Sequence, residues 1–199
     1  MKAALKQAAF WAATAAVLPA LLSFWIRAAI VGRDRALEGS SQALSLVPGL
    51  LGQYVRRAFL ARVLADCHPS VTIEFGTVFS CARASLAENV YVGPRCHLGF
   101  VHLSRDVLVG AGVHIPSGGD THGIDDPDAP IREQEREKQQ VTVGQGAWIG
   151  SAAVVMADVG RDSVIGAGAV VTRPVPDLVV AAGVPARVIR GRTPRQAGR

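Results

Sequence analysis

The chain has 199 residues, enough for one domain with a sizeable core or for one domain with an appendage. Apolar residues make up 49% of the chain and aromatic residues only 6%, so the core must be built mostly from aliphatic side chains. A formal net charge of +5 suits nucleic acid, membrane or phosphate partners, but no zinc-finger spacing or RNA-binding aromatic signature accompanies it, which argues against nucleic acid.

The first predicted element is an uncharged run of twenty residues, 7–26, with the sequence QAAFWAATAAVLPALLSFWI. It is just long enough to span a bilayer, but basic residues flank both ends, which does not favour a simple crossing. A helix kinked at Pro19, with both ends on the cytoplasmic side and Trp11 and Trp25 at the headgroup level, fits better. We therefore expect residues 1–35 to form an apolar, membrane-associated helical segment. A soluble helix that packs in an oligomer and a secretory signal peptide remain as alternatives.

A polar-then-apolar link is expected over residues 34–48, and the sequence LLGQYVRRAFLARVLAD follows it. Its apolar residues recur at helical spacing, while Arg56, Arg57 and Arg62 fall largely on one side. This pattern predicts an amphipathic helix with a basic edge, within a helical neck that covers residues 36–70. Such a helix either lies on an anionic membrane surface or caps the next element, and both alternatives stay open.

From residue 71 onward an aliphatic residue returns every six positions, often followed by glycine, with one unit a residue short and one two residues short. This period is typical of a parallel β-helix, in which each unit supplies one short strand and one turn. Three units close a triangular coil, so the twelve units predict about four coils around a narrow apolar column. The aliphatic positions are Leu86, Val92, Leu98, Leu103, Val109, Ile115, Val143, Ile149, Val155, Val159, Ile165 and Val171.

The repeat is interrupted between Ile115 and Val143. A loop of this length inside a compact repeat is usually functional or disordered. It begins with SGGDTHGIDD, which places His122 among glycines and acidic residues, and it ends in REQEREKQQ, which is most simply a solvated charged turn.

The repeats resemble the hexapeptide-repeat acyltransferase family, whose fold is a left-handed parallel β-helix. The most specific part is VTVGQGAWIGSAAVVMADVGRDSVIGAGAVVTRPVPDLVVAAGVPARVIR. It is similar almost throughout to the end of sugar O-acetyltransferases of the maltose, galactoside and colanic-acid types. The resemblance covers residues 71–190, the expected acyltransferase domain with an excursion loop over 116–142. It leaves out the apolar N-terminus, and residues 191–199 form a basic tail.

The resemblance implies an O-acetyltransferase that uses acetyl-CoA, needs no metal, and assembles as a homotrimer with its site in the cleft between two β-helices. The implied CoA contacts include three arginines suited to bidentate hydrogen bonds with phosphates. A solvated basic tail is the alternative explanation for these arginines. The step from Val155 to Val159 is two residues shorter than in soluble sugar acetyltransferases, which bears on the register of Ser151 relative to Ala167. The implied CoA contacts are Ser151, Ala167, Thr172, Arg173, Arg187 and Arg190.

The same resemblance matches the family's catalytic histidine to His122. A neutral imidazole is suited to remove a hydroxyl proton near pH 7, after which the oxygen attacks the thioester directly and a backbone N–H holds the oxyanion. A carboxylate or carbonyl should orient the ring, and the sequence does not distinguish Asp120, Asp125 and Asp126. Asp120 and Gln134 are candidates for the acceptor site, although Gln134 alternatively fixes the loop.

Three further histidines support a rival interpretation. His97 and His102 are five residues apart and His114 falls one coil beyond His97, and this spacing resembles that of a histidine pair among the zinc ligands of β-helix carbonic anhydrases. Three imidazoles with an open fourth position would form a catalytic zinc site, whereas a stack of surface or interface histidines is the alternative. The third histidine of that family, upstream of the pair, has no match here. A β-helix scaffold without catalysis is the remaining alternative.

The three cysteines, Cys67, Cys81 and Cys96, lack CxxC spacing, which argues against a disulfide framework and fits a reducing cytoplasm. Each is expected to be a small buried apolar residue. Together, these patterns predict an enzyme at the inner face of the cytoplasmic membrane. It would acetylate a sugar or lipid-linked saccharide in exopolysaccharide or cell-envelope polysaccharide synthesis.

Overall fold

The computed structural model describes residues 12–134 and 136–192. Helical residues 12–16 are followed by α1 (Leu18–Val31), α2 (Arg33–Ser45) and α3 (Gly49–Val63). Short strands make up the rest of the described chain, apart from a 3-10 turn at Ile131–Glu133. The strands are β1 (Asp66–Cys67), β2 (Thr72–Ile73), β3 (Val78–Phe79), β4 (Ser85–Leu86), β5 (Tyr91–Val92), β6 (His97–Leu98), β7 (Val101–Leu103), β8 (Leu108–Val109), β9 (His114–Ile115), β10 (Val141–Val143), β11 (Trp148–Ile149), β12 (Val154–Val155), β13 (Val164–Ile165), β14 (Val170–Val171), β15 (Val179–Ala182) and β16 (Arg187–Gly191).

The strands form three sheets, which we name faces A, B and C. Face A has the order β1-β4-β7-β10, face B the order β16-β15-β13-β11-β8-β5-β2, and face C the order β14-β12-β9-β6-β3. Within the described residues every named strand pair is parallel except β15 with β16. From β1 to β15 consecutive strands belong to different faces, so the chain winds as a parallel β-helix, as the hexapeptide period predicted.

The apolar column also confirms the prediction. All twelve predicted aliphatic positions are 2% exposed or less. In each two-residue strand the second side chain points into this column and the first points outward. The hexapeptide period therefore marks the inward position of each strand, and neighbouring coils bury one another's aliphatic side chains.

The short unit between Val155 and Val159 does not disturb the ladder. Val92 pairs with Val109, a separation of 109 − 92 = 17 residues, whereas Ile149 pairs with Ile165, a separation of 165 − 149 = 16 residues. The turn that follows β12 absorbs the deletion, because face A continues through a parallel bridge between Val143 and Val159.

The region predicted as a link, residues 34–48, is instead mostly helix α2. The serines that made this segment resemble a link are buried in the helix, and their hydroxyls form hydrogen bonds within α2 and with the β-helix. Ser40 donates to the Ala36 carbonyl at 2.7 Å. Ser41 donates to the Phe79 carbonyl and accepts from the Phe79 N–H, both at 3.1 Å. These bonds fix α2 against β3 at the first coil.

The predicted basic edge on the next helix is wrong, because Arg56 of α3 is only 2% exposed. Its Nε donates to the Ile73 carbonyl at 2.9 Å and its Nη1 to the Val47 carbonyl at 2.7 Å. Helix α3 lies against β1 and β2, so of the two alternatives the structure shows the capping helix. We call α2 and α3 the helical cap.

Helix α1 packs on this cap through one face only. Phe24 contacts Phe59 of α3 edge-to-face, with 5.8 Å between the ring centroids. Pro19 lies in the first turn of α1. Val17, which separates α1 from helical residues 12–16, keeps right-handed helical dihedrals, donates its N–H to the Ala13 carbonyl at 3.1 Å and accepts the Leu21 N–H at 2.9 Å, so the two helical segments are continuous at this residue. Across residues 12–134 and 136–192, none of the helices has both the length and the apolar character needed to cross a bilayer. Trp11 falls outside the described residues.

The three cysteines are free thiols and buried, as predicted. Burial, with a smaller contribution from Asp66, raises the pKa of Cys67 to about 12. Burial also raises the pKa of Cys96. Cys67 and Cys96 therefore stay protonated near neutral pH, and all three buried cysteines act as small core residues.

Candidate functional site

The excursion loop leaves face C after β9 and returns to face A at β10, so it spans residues 116–140. Its two ends lie together, because the Gln139 N–H donates to the Ser117 carbonyl at 3.0 Å. Further out, the Gly123 N–H donates to the Gln134 carbonyl at 2.6 Å. The loop is therefore folded back on itself and leaves the coil at the corner between faces C and A.

His122 lies on the outgoing arm of this loop and is exposed. In the portion of the chain that the structure describes, its imidazole makes no hydrogen bond, although the residues around it do. Both ring nitrogens are therefore open to a substrate or to a neighbouring subunit.

The three candidate orienting carboxylates have other partners. Arg136 donates from Nη1 to Asp120 at 2.6 Å and from Nη2 to Asp125. The Asp126 carboxylate accepts the Asp128 N–H at 2.9 Å. The expectation of a simply solvated charged turn missed Arg136, which holds one carboxylate on each side of His122. The sequence places opposite charges in the two arms of the loop, which indicates that the arms could pair. Which charges pair depends on how the loop folds back.

Gln134 fixes the loop, which was one of its two predicted roles. Its Nε2 donates to the carbonyls of Asp126 at 2.7 Å and Ala129 at 2.8 Å, and its Oε1 accepts the Asp126 N–H at 3.1 Å. Because donors and acceptor of the amide are engaged within the loop, Gln134 shapes the arm that carries His122.

Ser151 and Ala167 occupy equivalent positions on consecutive coils, at the corner between faces B and C. The Gly168 N–H donates to the Ser151 carbonyl at 2.8 Å. A Cβ on Gly150 would lie 2.5 Å from the Ala167 nitrogen, so only glycine allows the two coils to approach this closely. The short unit does not shift their register, and the two exposed side chains form a smooth edge along the coils.

The remaining predicted CoA contacts lie elsewhere. Thr172 and Arg173 follow β14 at the corner between faces C and A, the corner from which the loop departs. Arg187 and Arg190 belong to β16, at the end of face B, and the Ala186 N–H donates to the Val170 carbonyl of β14 at 2.8 Å. The predicted contacts thus border face C on both sides and at its C-terminal end.

The three arginines of this set are exposed and available to an anion. Arg187 and Arg190 donate only to carbonyls of adjacent residues, at 3.0 and 3.3 Å. None of the three forms an ion pair with another residue of the described ranges. Arg192, by contrast, donates to the Asp162 carbonyl at 2.6 Å. The rest of the basic tail, residues 193–199, falls outside the described part.

The histidines of the zinc interpretation are divided between two faces. His97 and His114 pair in register on face C, with 5.4 Å between the ring centroids, whereas His102 lies on face A at 2.7 Å from the Ser85 hydroxyl. Burial and then His114 lower the pKa of His97, against an opposing effect of Glu38. Within residues 12–134 and 136–192 there is no group of three or more His, Cys, Asp or Glu side chains that could hold a metal.

A β-helix of hexapeptide units, broken once by a histidine-bearing loop, defines the class of protein, and comparison with known proteins agrees. The family model described as the hexapeptide repeat of succinyl-transferase matches residues 140–173. The chain is 32% identical over 164 residues to galactoside O-acetyltransferase of Escherichia coli (strain K12), covering 71% of this chain and 80% of that protein. It is 30% identical over 114 residues to the putative lipopolysaccharide biosynthesis O-acetyl transferase WbbJ of the same strain, covering 52% and 58%.

Solved structures show the same fold. A maltose O-acetyltransferase from Clostridium difficile 630 superposes with a TM-score of 0.68 at 19% identity, covering 81% of this chain and 89% of that one. A galactoside acetyltransferase in complex with coenzyme A gives a TM-score of 0.60 at 23% identity, covering 82% and 84%. The chain belongs to the hexapeptide-repeat acyltransferase family, and it is an acyltransferase.

Proposed function

We propose that this protein is an O-acetyltransferase that moves acetyl from acetyl-CoA to a hydroxyl of a saccharide, with His122 as the general base. The observation that carries the proposal is the single break in the rigid β-helix, which presents an exposed imidazole without a hydrogen-bond partner among the described residues. Gln134 and Arg136 hold the arms of this loop, so the imidazole is carried on a braced rather than a free segment.

In the proposed reaction, neutral His122 accepts the proton of the acceptor hydroxyl while the oxygen attacks the thioester carbon. A C–O bond forms, a tetrahedral oxyanion is held by a backbone N–H, and the C–S bond then breaks. The histidinium returns its proton to the departing CoA thiolate, so no covalent acyl-enzyme is required. The base contributes about 10²- to 10⁴-fold in rate, and positioning of two substrates in one cleft contributes further.

Acetyl-CoA fits the residues that border face C. The corner of Ser151 and Ala167 is smooth enough for the pantetheine arm to run along the coils. Arg173, Arg187 and Arg190 offer guanidinium groups to the phosphates without first having to break an ion pair to a described residue. A fold neighbour, the galactoside acetyltransferase, was solved in complex with coenzyme A, which supports this assignment.

We infer that the active form is a homotrimer with the site in the cleft between two β-helices. Face B carries an exposed stripe of outward side chains in register, Tyr91, Leu108 and Trp148. Aromatic and aliphatic side chains in such a stripe favour contact with another chain. A neighbouring subunit would also supply the polar group that orients His122.

The acceptor is proposed to be a sugar or lipid-linked saccharide of exopolysaccharide or cell-envelope polysaccharide synthesis, held at the inner face of the cytoplasmic membrane. Two relatives act, by name, on a galactoside and in lipopolysaccharide biosynthesis. Three free, buried cysteines suit a reducing compartment, and apolar α1 suits a membrane-bound acceptor.

The test is a thiol-release assay with acetyl-CoA and a panel of saccharides, combined with mass spectrometry of the acceptor. We expect acceptor-dependent release of CoA thiol and an acetyl ester on the sugar. Stoichiometric zinc with CO₂ hydration would instead identify the rival hydratase. The absence of both activities would favour a non-catalytic scaffold and overturn the proposal.

A further inference from the structure

Helix α1 is apolar on two opposite sides, but only one side is buried. Leu21 and Phe24 pack into the helical cap. The opposite side carries large apolar side chains at helical spacing, all of them exposed. We call this surface the outer face of α1, and it consists of Leu18, Leu22, Trp25, Ile26 and Ile30. A helix that is apolar all round is normally covered on all sides, so this face needs a partner that residues 12–134 and 136–192 do not provide.

The charges around the outer face favour an anionic, flat partner. The sequence of α1, LPALLSFWIRAAIV, contains no acidic residue. At its C-terminal end Arg33 stacks on Trp25, with 5.6 Å from the guanidinium carbon to the ring centroid, while its Nη2 donates to the Val63 carbonyl at 2.9 Å; Arg35 is exposed in the first turn of α2. Tryptophan beside arginine at the end of an apolar helix is the arrangement of an interfacial helix, in which the ring lies at the headgroups and the cation meets lipid phosphate.

The packing of α1 decides between lying on a bilayer and crossing it. No helix of residues 12–134 and 136–192 has both the length and the apolar character needed to cross a bilayer. The inner face of α1 is also committed to Phe59 of α3, so the helix cannot be inserted without unpacking the cap. We propose that the outer face of α1 docks in the plane of an anionic lipid bilayer. This inference deepens the proposed function, because it states how a membrane-held acceptor and the enzyme meet.

Helix α2 connects the outer face of α1 to the catalytic loop. Only Gly32 separates α1 from α2, and in the first turn of α2 the Asp34 carboxylate accepts hydrogen bonds from the Lys138 ammonium at 2.7 Å and from the Ala82 N–H at 2.9 Å. Lys138 belongs to the arm that returns from His122. Burial raises the pKa of Asp34, but these hydrogen bonds outweigh it and the net pKa is lowered, so Asp34 is ionised at neutral pH. The arm of the loop that returns from His122 is therefore attached to the helix that follows the docking face.

The experiment is flotation of the full chain with vesicles of phosphatidylcholine, with and without phosphatidylglycerol. The test variant is Ile26→Glu with Ile30→Glu, at positions that are 56% and 77% exposed, so the fold should tolerate both changes. The control is Ile189→Glu, a change of the same chemistry at a 65% exposed position on β16, at the other end of the β-helix. Circular dichroism and light scattering check folding and mass.

We expect wild type and the control to float with anionic vesicles, less so with neutral vesicles or high salt. The double variant should bind at least about tenfold more weakly while keeping its mass, because it loses buried apolar surface and gains two anions. Failure of wild type to float, or equal flotation of the double variant, would overturn the proposal. A lower oligomeric mass of the double variant would identify the outer face as a contact between protein chains.

The thiol-release assay with a soluble saccharide separates this inference from the proposed function. Intact transfer by the double variant, with loss of flotation, supports docking as a separate step. Flotation of wild type without any acetyl transfer would leave the docking surface standing and remove the proposed reaction.

Discussion

Removal of Arg56 is predicted to detach the helical cap from the β-helix. Strand β2 is the end strand of face B, so no further strand covers the Ile73 carbonyl, and Arg56 supplies the donor that such a strand would give. Its Nη1 donates a hydrogen bond to the Val47 carbonyl in the turn before α3. Arg56→Met keeps an unbranched stem but leaves these two carbonyls without this donor. At about 1–3 kcal/mol for each unsatisfied group, the loss is about 2–6 kcal/mol.

Thermal melting followed by circular dichroism measures this loss. For a chain of this size about 1 kcal/mol corresponds to roughly 2–4 °C, so a loss of at least about 2 kcal/mol should make Arg56→Met melt at least about 4 °C below wild type. Arg35→Met makes the same chemical change on an exposed position of α2 and should stay within about 2 °C. Arg56→Lys should lie between them, because one ammonium cannot reproduce the fork that reaches both carbonyls. An Arg56→Met variant that melts with wild type would refute the role assigned to this side chain.

Three further predictions concern the proposed CoA contacts, the catalytic loop and His97. The double variant Arg173→Gln with Arg187→Gln should raise KM for acetyl-CoA at least about tenfold with little change in kcat, as steady-state kinetics would show; an unchanged KM would place the phosphates elsewhere. Gln134→Leu should lower kcat by about tenfold through a loosened loop, with melting temperature retained; unchanged kcat would contradict that positioning role. His97, whose pKa is lowered by burial and by His114, binds its proton less readily folded than unfolded, so stability should fall as pH drops below about 6.5. His97→Gln should flatten that slope in urea unfolding, and an unaltered slope would contradict the assignment.

Much of the β-helix could be predicted from the sequence because each coil repeats the same local rule. The inward position of every two-residue strand must be aliphatic, and the six-residue period records it directly. The hand of the coil came from the family resemblance, since a period carries no hand. The two-residue deletion after Val155 was expected to bear on the register of consecutive coils, but a turn can lose residues while the strands on either side of it keep their pairing.

The helical cap was harder to predict because its faces are decided by tertiary contact. Helix α2 reads as polar, yet Ser40 and Ser41 are buried with their hydroxyls satisfied. Arg56 looked like part of a solvated basic edge, and only the unpaired edge of face B explains why it is buried. Sequence periodicity reports the side chains of one helix and does not include the carbonyl groups that a neighbouring element leaves open.

In the candidate site, sequence reasoning located the loop and its histidine but not the loop's internal bonds. Arg136 pairs across the two arms with Asp120 and Asp125, which depends on how the loop folds back. The same fold-back turns Gln134 inward. The position of His122 could be predicted because it follows from a break in a repeat.

The most direct test of the account is single-turnover acetyl transfer by His122→Ala, measured with saturating acetyl-CoA and the best saccharide acceptor. The account predicts a rate at least about a hundredfold below wild type, with the Kd for CoA unchanged, because the proposed CoA contacts lie on the coils and on β16 rather than on the loop. Transfer at the wild-type rate would remove His122 from the mechanism and contradict the central claim.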